Sequence, residues 1–542
     1  MKSIWRILPV MPVLIIASIT ANAQQATPGL HGNFQTDAQL YKRDSAIGAP
    51  DVQEKLLANS FLNLTYASGN FSAGLRYESF LNALQGYDRR YEGNSFLFRY
   101  VTYNLEGLEI TGGNFYEQFG YGLIFRSYQE WGLGFDNAMD GIRLRYQPVK
   151  GINLKAMIGR QRSFMDYGPG LVRGADGDIN LNELLPSMSE KKTRLIAGGA
   201  FVSKYQTDDD PIYILPQNVS AYSVRWQLSR EPVSFSGEYA SKINDPNFDN
   251  GYIYKKGEAL YVTIGYTAKN LGVSVSAKRI DNMSFRSDRT AILTNLAINY
   301  LPAITKQQTY RLATLYPYAT QPNGEMGAQG ELFYNFKKGT TLGGKYGTKI
   351  SAGGSIVNSI DKKATGDDQG YTSGFFKPGK EKYFREASLE INKKLSPKLK
   401  FIFSEIYQVY NKDVVQGLSG YGIINANINV LETEYRINDK HGIRSELQHL
   451  YSNQDSRSWG MILLEYTVSP HWFVAVFDEY NYDNPKTDKR IHYYSASAGY
   501  VKNTLRFTLG YGKQREGLLC VGGVCRQVPA SNGFTFSMTG SF

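Results

Sequence analysis

Five histidines and two cysteines are the scarcest chemistry-bearing residues in this chain. General acid–base or nucleophilic catalysis needs a histidine held against Asp, or against Ser and Asn. The spacing supports no such set: His31 opens a first strand, His441 and His471 fall in turns, and His449 and His492 fall within strands. The reading is therefore of a protein that is not an enzyme and takes no cofactor. Asp176, Asp178 and Asn180 in "DGDIN" stand at the alternate spacing of a calcium loop. Leu181 and Ser187, however, occupy the positions that such a loop fills with Gly and Glu. A capping turn before a short helix at Leu181 to Leu185 explains the same residues, and no metal site is assigned.

Both cysteines lie in "LLCVGGVCRQ". With Gly522-Gly523 as a two-residue turn, Val521 faces Val524, and Cys520 faces Cys525 at the next pair, where side chains lie close enough for a disulfide. Two thiols without a neighbouring His are too few for a metal. A further group consists of charges that recur on one face of alternating segments: Arg76, Arg143, Arg145, Arg225, Lys278, Arg444 and Arg506, with Glu78, Glu238 and Glu446. A packed apolar interior has no place for them, whereas a wet lumen does. They predict either a mildly anion-favouring wall or a solvated wall of arginine–carboxylate pairs.

The elements that must carry these residues are strands. Period-two alternation runs through nearly the whole chain, as in "ALYVTIGYTA", "AYSVRWQLSR" and "TLRFTLGYG". The runs are about 9 to 12 residues long, the span of a tilted strand across a bilayer, and short and long connections alternate. Short turns at 68, 106, 148, 230, 268, 301, 337, 394, 438, 469 and 502 predict about twenty-four strands, within a range of 22 to 26. The long loops fall near 42–58, 81–94, 117–138, 162–193, 242–256, 350–381 and 516–532.

The ends agree with this. "MKSIWRILPVMPVLIIASITANAQQ" has a basic start, a short apolar middle and an Ala-Asn-Ala cleavage site, so residues 1–23 read as a signal peptide for Sec export. Residues 24–542 read as one transmembrane β-barrel, because strand signals begin at Phe34 and leave no room for a separate plug domain. The last run, "GFTFSMTGSF", alternates Phe534, Phe536, Met538 and Phe542 with Thr and Ser. It resembles the C-terminal signature of outer-membrane barrels, whose terminal Phe, here Phe542, is read by the barrel-assembly machinery.

The formal charge of +11 at pH 7 comes without a lysine–arginine block or a zinc motif, which argues against nucleic acid. Outer-membrane lipids, lipopolysaccharide, and an unknown solute or envelope protein are the expected partners. One segment departs from the polar, glycine-rich loops. Residues 112–146 concentrate Phe119, Tyr121, Phe125, Tyr128, Trp131 and Phe135 with Arg126 and Asp136. Leaving each large ring in water would cost roughly 1.5–3 kcal/mol. The segment is therefore expected to pack in or over the lumen, as a plug or a constriction.

This segment, with "GADGDINLNELLP" at 174–186, resembles an uncharacterised family of large, porin-like outer-membrane barrels of Bacteroidota, which implies fold and location in a Gram-negative outer membrane but no chemistry. The functional expectation is a porin-like channel for passive passage of solutes. A loop-sealed structural or secretion-accessory barrel is the alternative. A transporter of hydrophobic compounds, with a greasy pocket beneath Tyr121, Phe125 and Trp131, is the third.

Overall fold

The computed structural model describes residues 29–542; the signal peptide read at 1–23 lies outside the described residues. A single antiparallel sheet of 24 strands closes on itself. The first strand, Gly29–Tyr41, pairs with its sequence neighbour Leu56–Ser68 and also with the last strand, Ser531–Ser541. Phe542 completes the seam, exchanging two backbone hydrogen bonds of 2.9 Å with Gly32. Its ring lies over Gly32, where a Cβ would overlap it, so the closing register requires glycine there.

The alternation sorts residues as a membrane barrel requires. On Gly93–Leu105, Val101, Tyr103 and Leu105 are exposed while Thr102 between them is buried. On Ile423–Arg436, Ile424, Ala426, Ile428 and Val430 are buried and Ile423, Leu431 and Tyr435 are exposed. Exposed apolar side chains on one face of a closed sheet need lipid against them, and closure leaves no unpaired edge in it.

Eleven short connections gather at the end that carries Gly29 and Phe542, but they are not the eleven expected. The turn read at 301 is absent: residues 282–324 form one long connection inside the barrel. The expected outer loop at 162–193 instead holds a tight hairpin at 164–165, the strand Asp166–Asn180 and a connection at 181–193 on the short-turn side. The two errors cancel, and the strand count stands. The loop expected at 350–381 is mostly strand, with Thr348–Ala364 and Tyr371–Lys394 joined by a short tip at 365–370.

Candidate functional site: a lumen crossed by two inward segments

Two connections on the long-loop side fold into the barrel. The first, 116–138, joins Leu108–Phe115 to Met139–Tyr146, so the aromatic segment expected at 112–146 is strand at both ends and inward only between them. Phe119, Leu123, Ile124 and Phe125 are fully buried. They pack on wall residues Val172, Val202, Ala221, Ala240 and Ile280, and on Met283, Phe285, Ile298 and Leu301 of the second inward segment. That segment, 282–324, crosses to the opposite wall, where Ile304, Leu312, Tyr316 and Tyr318 pack on Val357, Phe384, Ile406, Tyr410, Ile428 and Trp459. On the first wall these residues are small or β-branched and leave the room that the segment fills, whereas on the second Phe384, Tyr410 and Trp459 bring rings to meet it.

Polar contacts fix both segments. Asp136 joins a four-member ion cluster: Arg76 Nη2 donates to its Oδ2 at 2.5 Å and Arg162 Nη1 at 3.0 Å. Arg76 also donates to Glu78 at 2.6 Å, and Arg162 grips both Glu78 oxygens at 2.6 Å. All four side chains are buried, and two cations meet two carboxylates, so the cluster is neutral. Arg76 also donates to Gln129 at 2.9 Å and to the Tyr116 hydroxyl at 3.3 Å, so Tyr116, Gln129 and Asp136 tie the segment to the wall at three points, and Tyr116 donates to Asp136 at 3.0 Å within the segment. Below it, Glu117 accepts from Arg145 at 2.8 Å and Lys155 at 3.0 Å, and Arg143 donates to Glu109 at 2.7 Å. Glu238 accepts from the Tyr121 backbone N–H at 2.5 Å.

The second segment is held in the same way. Glu325 pairs with Lys278 at 2.5 Å and accepts from Tyr318 at 2.6 Å. Glu479 receives Arg311 of the segment and, at 2.6 Å, Arg515. Asp245, in the connection after Val233–Lys242, lies between Lys204 at 2.7 Å and Lys242 at 3.2 Å. Burial alone would raise its carboxyl, but the two ammonium groups more than offset this and hold it below the usual carboxylate value.

The expected wall residues therefore face inward as their parity requires, but most of their charges are answered by ion-pair partners. Arg225 donates to Asp176 at 2.6 Å and Asp178 at 2.8 Å, which puts both carboxylates of the calcium-like spacing on a strand and in ion pairs. Asn180 caps Leu181–Leu184, as the capping reading held. Arg444 pairs with Glu432 and Glu446, and Arg506 lies 4.8 Å from the centre of the Phe473 ring. The arginines do not form an unopposed ring around an open path. Arg126 is sandwiched between Tyr128 and Tyr300, at 4.2 and 4.1 Å from the ring centres. Trp131 packs on Phe61 and belongs to a different cluster from Phe125. Tyr121, Phe125 and Trp131 thus share no pocket.

On the long-loop side of the two segments lies a cavity of about 1510 Å³, with Tyr128, Phe285, Tyr300, Tyr316, Trp459, Arg286 and Lys412 in its lining. The hairpin Gly517–Val521 and Val524–Val528 borders it, and Cys520 and Cys525 are disulfide-bonded there. Its tip reaches the second segment: Tyr300 OH donates to Gly522 O at 2.9 Å, and Thr320 N donates to Gly523 O at 3.0 Å. Sequence reasoning missed this segment, the hairpin's hold on it, and Arg162 and Glu479. Of the histidines on the later strands, His492 Nδ1 lies 2.6 Å from Asp478 Oδ2 and its ring stacks on Tyr480 at 3.8 Å, both on the outer wall.

A closed barrel of 24 strands with an apolar outer band and charged inner wall is an outer-membrane type of transmembrane protein. The chain belongs to the family of unknown function DUF6029, which it matches over residues 1–542. No curated protein matches it. Among solved structures it is similar to the P pilus usher (PapC) translocation pore, at 10% identity over 95% of this chain and 99% of that one, TM-score 0.45. It is also similar to the siderophore receptor PirA from Pseudomonas aeruginosa (11%, 96% and 81%, TM-score 0.39) and to the copper transporter OprC (9%, 95% and 80%, TM-score 0.39).

Proposed function

We propose that this protein is a gated transport barrel of a Gram-negative outer membrane, closed in the state described. The signal at residues 1–23 directs it through the Sec pathway, and Phe542 presents it to the barrel-assembly machinery. A solute enters the outer cavity, and passage requires 116–138 and 282–324 to shift. The observation that carries this reading is the way the lumen is closed. Two connections of the barrel itself cross it, held by apolar packing on the walls and by side-chain hydrogen bonds and ion pairs, with a cavity of about 1510 Å³ standing over them. The proposal replaces free passive diffusion with a path that must open, and it assigns no catalytic role or cofactor.

The rival is a sealed scaffold for other envelope proteins, favoured by the complete mutual pairing of Arg76, Glu78, Asp136 and Arg162. Planar-bilayer conductance of the purified protein, beside a variant lacking 117–135, separates the two. Rare or no openings in the wild type and large, stable conductance in the deletion support the gated barrel. Silence in both, with heat-modifiable gel migration showing intact barrels, supports the scaffold.

A further inference from the structure

The outer wall is uneven in charge at the top of its apolar band. Three arginines point outward within a few neighbouring strands: Arg99, Arg160 and Arg173 share parity with exposed Val101, Ile158 and Ile179 on their respective strands. Asp140 is the acid among them; it stands directly across from Arg160 and is paired with Arg99 at 3.3 Å. Arg160 and Arg173 are exposed, and Arg173 donates to Asn218 at 2.9 Å. On the far wall the outward groups include Glu405, Asn427, the Asp478–His492 pair and a single arginine, Arg385, whose guanidinium is taken up by Val357 O and Asn358.

Below the arginines, toward the short turns, the same face narrows to small residues. Ala175 stands opposite Ala156 on one side, and Gly177 opposite Gly199 on the other. Leu154, Ile158 and Phe201 rise at the edges, all exposed. A shallow apolar channel thus runs down the wall from a rim of two exposed guanidiniums, with the Leu154 side chain lying against Gly177 at its lower end. Arginine recognises phosphate through paired N–H donors, and basic groups at a membrane boundary attract anionic headgroups.

We propose that this face is a binding site for a phosphorylated lipid of the outer leaflet. Arg160 and Arg173 take the headgroup phosphate, and the channel over Ala156, Ala175, Gly177 and Gly199 takes an acyl chain. The site rests on the outer-membrane placement above but is independent of whether the lumen conducts.

The test is native mass spectrometry of the full-length protein in detergent, titrated with a diphosphorylated glycolipid or its dephosphorylated form. It compares the wild type, an R160Q/R173Q variant and Ala175→Leu, which fills the channel. Heat-modifiable migration confirms that each variant is a folded barrel. The expected result is retention of the phosphorylated lipid by the wild type, weaker by about tenfold or more in R160Q/R173Q. Weaker binding is also expected in Ala175→Leu, and no preference between the two lipids in the arginine variant. Equal retention by wild type and R160Q/R173Q overturns the site, as does equal retention of the two lipids by the wild type. Displacement by millimolar inorganic phosphate with Ala175→Leu unaffected would make it a free-anion site and overturn the lipid assignment. Failure of the wild type and both variants to migrate as folded barrels in detergent and to insert into bilayers would instead count against the outer-membrane reading, and the lipid site with it.

Discussion

The hydroxyl of Tyr300 donates to the carbonyl of Gly522 at 2.9 Å, joining the segment that crosses the lumen to the tip of the disulfide hairpin. Gly522 and Gly523 both adopt positive φ, at 58° and 84°, the turn geometry that presents this carbonyl. Gln307 adds a second hold, donating to Cys520 O at 2.8 Å and accepting from Gly522 N at 2.9 Å. The hairpin thus restrains the second segment from the outside. Loosening it should raise the opening probability of the barrel: a Cys520→Ser/Cys525→Ser variant, or reductant on the long-loop side, is expected to give more frequent openings in a planar bilayer. Unchanged gating would show that the hairpin only covers the segment.

Removing Arg162 should destabilise the barrel severely. Its guanidinium bonds both oxygens of Glu78 and one of Asp136, and its loss leaves buried negative charge with Arg76 alone to answer it. Breaking a buried ion pair from one side costs about 3–5 kcal/mol. Arg162→Met is expected to lower the urea midpoint of the folded barrel, whereas Arg90→Met, whose partner Asp88 sits at the surface, should change the stability by less than about 1 kcal/mol and leave the midpoint nearly unmoved. Tryptophan fluorescence, dominated near the cluster by Trp131, reads both.

Acidification should release the outer connection at 243–256 late. The Asp245 carboxyl lies below its ordinary value in the fold, so its stabilising contribution is fully present above about pH 4 and is lost as pH falls through the lower folded value. Hydrogen exchange of 243–256 and of the neighbouring 284–289 is expected to be level from pH 7 to about pH 4, after correction for intrinsic rates, and faster below. Asp245→Asn should show the faster exchange at every pH. Loss of protection already at pH 6 would assign the transition to another group.

The barrel was legible because lipid imposes one strict rule on every strand, and "ALYVTIGYTA" or "GFTFSMTGSF" obeys it openly. The contents of the lumen were half legible. A segment as aromatic as 116–138 stands out among polar loops. The segment 282–324 does not, because its apolar residues are interleaved with Asn, Thr, Gln and Pro that hydrogen-bond inside a wet lumen. "LPAITKQ" therefore read as a surface turn. Parity placed Arg225 and Glu238 on the inner face, yet their partners could not be read, since Asp176 and the Tyr121 amide reach them only through folded geometry. Residues 350–381, within the long hairpin of Thr348–Ala364 and Tyr371–Lys394, were read as a loop because Ser351 to Ser355 carry no large apolar side chain and the tip of the hairpin needs no apolar face.

The pairing of Asp37 with Ser537 across the seam sets the order in which the molecule can be finished. Each of the other strands meets its partners from nearby in the chain, so hairpins can accumulate as synthesis proceeds. The edge of Gly29–Tyr41 waits for the final residues, with its row of amides and carbonyls open to any passing strand. Closure is therefore a single late event, and the interval before it is when this chain is most exposed to pairing with another copy of itself.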